Sequence, residues 1–201
     1  MKILYRTSFI TLLMLLTASC VTTKPPAADS MQVRTPVSVE NGAFVPVSIH
    51  LPKGFAKNQA LDILVNNELA VTVKISKDTL ISRASVRVRM KQSGFISANI
   101  RSNNAIIEQA KSPYIKVDGF SDKAANLGAS GTRHKLRVTS NKIRMLFVNE
   151  MKTDNYLEQV TIHTIEGDTT FVLTKIVSAH PYVSILLNGD PGEVKISAKQ
   201  H

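Results

Sequence analysis

The sequence predicts an all-β protein made of two successive β-sandwiches. Three observations predict it. Apolar residues recur at every second position in short runs, the period of a half-buried strand. Turn residues interrupt those runs about every 8–12 residues, the spacing expected of sandwich strands. No stretch carries a convincing helical period of 3.6.

The first nineteen residues read as a secretory signal. Lys2 and Arg6 form a positive start, Phe9-Ile10-Thr11-Leu12-Leu13-Met14-Leu15-Leu16 an apolar core, and Thr17-Ala18-Ser19 a small-residue stretch before Cys20. The apolar run is shorter than the roughly 20 residues a membrane-spanning helix needs, and it has the layout of a cleaved leader. The usual lipoprotein signal has leucine three residues before its cysteine; here Thr17 holds that place and Leu16 lies one further out. An ordinary signal cut near Ala18-Ser19 is the alternative. We read residues 1–19 as a lipoprotein signal peptide and Cys20 as the lipid-attachment residue. Residues 20–36 are then the lipidated cysteine and a polar, proline-bearing tether. Val21, not Asp, follows Cys20. By the sorting rule of such lipoproteins, that places the anchor in the outer membrane of a bacterial envelope, facing the periplasm.

Cys20 is the only cysteine. It allows no disulfide within the chain and no thiolate metal site, and once lipidated it has no free thiol.

The chain has 25 Lys and Arg against 15 Asp and Glu, and Lys2 and Arg6 are the only charges in residues 1–19, so the remainder carries 23 against 15, a net +8. That balance favours acidic partners or anionic lipid head groups. The basic residues are scattered in the sequence, aromatic residues are few, and export removes the chain from nucleic acid, so no nucleic-acid partner is expected.

Strands of a first sandwich are expected over residues 37–118. Val45, Val47, Ile49 and Leu51 alternate after the turn signal Asn41-Gly42, with Pro46 marking an edge or bulge. Leu61, Ile63 and Val65 lead to an Asn66-Asn67 turn, answered by Leu69, Val71, Val73 and Ile75. Val86, Val88 and Met90 alternate with Arg87 and Arg89. A strand from Phe95 to Ile100 turns at Ser102-Asn103-Asn104 into Ile106–Ala110, and Tyr114, Ile115 and Val117 close the set. Residues 119–133, rich in Gly, Ala and Ser, read as a linker. The second sandwich is expected over residues 134–201. Its strands start at Leu136 and Val138, at Ile143, and at Leu157. A hairpin turn follows at Glu166-Gly167-Asp168, then Phe171–Val177, Tyr182–Leu187 and Glu193–Ala198.

Several segments carry a resemblance. Glu40-Asn41-Gly42-Ala43-Phe44-Val45-Pro46-Val47-Ser48-Ile49 resembles the first strand motif of SoxY, a periplasmic carrier of sulfur intermediates in thiosulfate oxidation. Asn67–Ile75, Ser85–Met90 and Lys116-Val117 follow in that family's order. The second block resembles the partner subunit SoxZ. Asn149-Glu150-Met151 stands where that family has His-Pro-Met. His180-Pro181-Tyr182-Val183 is similar to its Asn-Pro-Tyr-hydrophobic motif, and Gly192-Glu193-Val194-Lys195-Ile196 to its terminal strand. The resemblance runs from about Val37 to Ile196 and implies two immunoglobulin-like sandwiches in tandem, a fused and degenerate SoxYZ-like chain. It makes Asn149, Glu150, Met151, His180, Pro181 and Tyr182 the family-motif positions.

The departures matter most. The SoxY subunit ends in a mobile Gly-Gly-Cys-Gly-Gly arm whose thiolate carries the cargo, and only a thiol does that chemistry. Here Tyr114-Ile115-Lys116-Val117 runs into Asp118-Gly119-Phe120-Ser121 without a cysteine. We therefore expect no catalytic residue, no cofactor and no metal.

The remaining constellations agree with this expectation. His50, His134, His163, His180 and His201 show no ligand spacing and read as surface or edge residues, His180 as a turn residue. Asp154, Glu158, Glu166 and Asp168 surround one hairpin and read as solvated carboxylates. Leu146-Phe147-Val148 reads as core before it reads as a partner surface. No nucleophile elbow or phosphate loop is present.

The function expected is that of a non-enzymatic, envelope-anchored binding or scaffold protein. It is attached to a membrane by its lipid and docks a periplasmic redox protein. A structural envelope lipoprotein, or a carrier using non-thiol chemistry, are the alternatives.

Overall fold

The structure, a computed structural model, describes residues 29–78, 80–121, 134–147, 156–178 and 180–201. Cys20, Asn149, Glu150 and Met151 lie outside them. The described part is all-β. Its strands are β1 (Gln32–Arg34), β2 (Ser38–Val39), β3 (Val45–His50), β4 (Gln59–Val65), β5 (Glu68–Ile75), β6 (Ile81–Val88), β7 (Ile96–Ser102), β8 (Ala105–Lys111), β9 (Lys116–Val117), β10 (His134–Thr139), β11 (Lys142–Phe147), β12 (Leu157–Thr164), β13 (Gly167–Leu173), β14 (Tyr182–Leu187) and β15 (Lys195–Gln200).

Local chemistry sets the hairpins. Asn66 and Asn67 have φ of 49° and 71°, and Asn103 and Asn104 have 47° and 66°. Two consecutive positive φ values define the type I′ turn, and asparagine tolerates them better than most side chains. The turns close β4 on β5 at Val65↔Glu68 and β7 on β8 at Ser102↔Ala105. In the β12–β13 hairpin the turn is Ile165-Glu166, and Gly167, at φ 125°, already pairs with Thr164.

Two large sheets result. One runs β1-β3-β6-β14-β11-β10 and the other β15-β12-β13-β5-β4-β7-β8, while β2 and β9 form a small parallel pair. Apolar residues on the inner faces of both large sheets belong to one core. Val47, Ile49, Val86, Ile143 and Ile185 of the first sheet join Leu61, Ile63, Val73, Val160 and Phe171 of the second. This is the layering of a β-sandwich. Each such side chain taken fully out of water stabilises the fold by about 1.5–3 kcal/mol.

The two sequence blocks meet along both sheets. Residues before 118 supply β1-β3-β6 and β5-β4-β7-β8, and residues after 134 supply β14-β11-β10 and β15-β12-β13. The join is antiparallel in each sheet. β5 pairs β13 through Val73↔Phe171 and Thr72↔Val172, and β6 pairs β14 through Val86↔Val183 and Ser85↔Ser184. The blocks read from the sequence as successive sandwiches thus share two continuous sheets.

The stretch 20–36, read as a tether, ends in structure. Met31 and Val33 are buried, β1 pairs with β3, and the Met31 amide donates to Glu108 Oε1 at 2.8 Å. Three residues are too few for a periodic signal, which is why the sequence does not display this strand. Pro46 lies beyond the end of β1, where β3 has an open side, as a proline in a strand requires.

Candidate functional site

The family-motif residues that the structure describes, His180-Pro181-Tyr182, lie on the join. Arg89 N donates to Ile176 O at 2.6 Å and Ser178 N to Arg87 O at 3.1 Å, so the segment before β14 is laced to the end of β6. Pro181 O accepts from Phe147 N at 2.9 Å, which ties the same segment to β11. His180 is not on the surface, as a turn histidine would be. It is 2 % exposed, and its ring stacks on Phe44, which follows the N-cap Asn41 in a 3₁₀ turn over Gly42–Phe44. Burial, and then the nearby Arg87 charge, push the imidazole pKa down. Tyr182, two residues on, lies under the Arg87 guanidinium, 5.1 Å from ring centroid to Cζ.

Beside Tyr182 a groove of about 450 Å³ opens on the outer side of the six-stranded sheet. Arg34, Thr35, Ser48, Ser85 and Arg87 are part of its polar lining. The hydroxyls of Ser48 and Ser85, directly paired across β3 and β6, hydrogen-bond each other at 2.8 Å. Among the described residues neither is bonded to a histidine or a carboxylate, the partner that activates a serine nucleophile. What the groove offers is hydroxyl and guanidinium donors, a set that suits oxyanion groups.

The other sequence candidates are dispersed. His163 bonds Asp168 at 2.9 Å and Ser197 at 2.8 Å, and His201 stacks on Tyr156. Glu158 pairs with Lys199 at 3.0 Å on β12 and β15. Phe147 is in the core, while Leu146 faces the other way. Asp154 and Val148 lie outside the described residues. The Ser48–Ser85 pair and its arginines were not singled out by the sequence. Their signal was the polar half of each strand's alternation, which does not say which strands lie side by side.

No protein-family model matches the sequence, and no curated protein matches it.

Proposed function

We propose that this chain is an envelope-anchored, non-enzymatic binding or scaffold protein. On this reading it is a SoxYZ-like pair of immunoglobulin-like blocks, joined along two shared sheets, that works beside periplasmic redox or sulfur metabolism without carrying sulfur. One observation carries the proposal: Cys20 is the only cysteine, and it lies in the signal-peptide pattern. A carrier that holds its cargo through sulfur needs a reactive thiol. The blocks' joint sheets support a scaffold role, since they keep two modules in one fixed unit. So does the burial of His180 at their junction.

Cross-linking in the envelope followed by affinity purification is expected to return a periplasmic redox protein. A result no different from background would overturn the binding reading. Labelling with radioactive fatty acid should mark the wild type and not Cys20→Ala; equal labelling would remove the anchor. The intact mass of the processed protein should not change on exposure to thiosulfate. A sulfur-sized increase would restore a carrier role.

A further inference from the structure

Seven of the cations that look scattered in the sequence share one face. Inner-facing residues of the six-stranded sheet are apolar, so the alternate residues face outward. The register lines up Arg34, Ser48, Ser85, Ser184, Arg144 and Arg137 in a single row across all six strands. Arg83, Arg87, Lys142 and Lys135 flank that row on the same face. Among the described residues, none of these six strands holds an aspartate or glutamate.

This arrangement opposes itself. Arg144 and Arg137 are directly paired across β11 and β10, and like charges so placed destabilise a sheet. The Nε atoms of Arg83 and Arg144 are buried without a hydrogen-bond partner, and such donors carry a desolvation penalty. Lys142 is held below its ordinary pKa, by burial first and then by Arg144 and Arg83. An anionic layer against this face would offset the like-charge repulsion among these groups.

We infer that the outer face of the six-stranded sheet docks flat on a bilayer containing anionic phospholipid. The face extends well beyond the groove beside Tyr182: six strands about 4.8 Å apart span about 25 Å. Leu146, Leu186 and Tyr182 stand among the cations, and apolar and aromatic groups of this kind suit the head-group region. The chain also comes to this sheet first. β1 is its edge strand, and a lipid on Cys20 would be within about 40 Å of Met31 along the chain. This last point rests on the anchoring proposed above; the charge argument does not.

The test uses the full chain carrying Cys20→Ala, so that no acyl group contributes, and phosphatidylcholine vesicles with and without phosphatidylglycerol. Binding should require phosphatidylglycerol and weaken in high salt. Neutralising the exposed edge cations together (Arg34→Gln, Lys135→Gln, Arg137→Gln) should lower partitioning about a hundredfold, roughly fivefold per charge. Removing three cations from the other sheet (Lys74→Gln, Lys195→Gln, Lys199→Gln) should lower it far less. Equal loss from both triple variants, or equal binding to both vesicle types, would overturn the inference. Tighter binding to poly-glutamate than to anionic vesicles would also overturn it, by assigning the face to an acidic protein. If fatty-acid labelling fails but the vesicle difference stands, the anchor is refuted and the face is not. The converse result refutes the face alone.

Discussion

The imidazole of His180 stacks on the phenyl ring of Phe44 at 5.7 Å between centroids, with 12° between planes. It is the point where a turn of the first block closes against the strand that begins the second block's share of the sheet. Burial and Arg87 favour the neutral ring in the folded state. Its folded pKa is therefore lower than its unfolded pKa, about 6.5. The contribution to stability is complete above that unfolded value and is lost as pH falls toward the depressed folded one. Urea midpoints should drop as pH is lowered through this window, and His180→Phe should flatten the slope. A variant with an unchanged slope would show that the pH dependence originates elsewhere.

Gly42 should tolerate no side chain. A Cβ there would sit 1.9 Å from Met90 O, a backbone atom, while Gly42 O accepts from Met90 N at 2.7 Å. Gly42→Ala is expected to destabilise by about 2 kcal/mol or more. At Gly189 an added Cβ meets nothing closer than 3.5 Å, so Gly189→Ala should stay within about 0.5 kcal/mol of wild type. Chemical denaturation of the two variants side by side measures the difference.

Asp62 is buried between neighbouring strands, where it accepts from the Arg101 guanidinium and from Thr72 Oγ1 at 2.7 Å. Removing the carboxylate leaves both donors unmatched. Because Arg101 remains about one third exposed, solvent screens the loss, and Asp62→Ala should cost about 2 kcal/mol. A double-mutant cycle with Arg101→Met should give a coupling of about 0.5–2 kcal/mol. Additive single effects would show the pair to be a passive contact.

Phe171 is fully buried and faces Val73 across the join of β13 and β5. Phe171→Ala is expected to destabilise by about 3–5 kcal/mol. Since one core contains both blocks, amides of β5 and β13 should lose exchange protection together and unfolding should remain a single transition. Two separate transitions would mean that each block is stable alone.

Strand positions were legible in the sequence because alternation reports which side of a strand is buried. Val45 to Leu51, Val71 to Ile75 and Val86 to Met90 read correctly for that reason, while Leu69, next to a register shift in the β4–β5 pairing, is exposed. Alternation carries nothing about the neighbour in the hydrogen-bonding direction, so the pairing of β5 with β13 and of β6 with β14 had no local signature. The basic face was hidden in the same way. Arg87 was visible as the polar half of one strand, yet its place beside the row that holds Arg144 and Arg137 depends on partners far along the chain. His180 next to a proline looked like an exposed turn, and the ring that covers it, Phe44, lies 136 positions earlier in the numbering.

The join between the blocks has a consequence for how the chain is made. Thr72 and Val172 are partners across β5 and β13, so roughly a hundred residues must be synthesised before that ladder can close. Contacts this distant slow folding, since the loop must be closed before they contribute. Until then β5 and β6 are bare margins of an incomplete sheet, offering unpaired amides and carbonyls to any other nascent copy. The interval between emergence of the first half and arrival of the second is the period in which this protein is most vulnerable to mispairing.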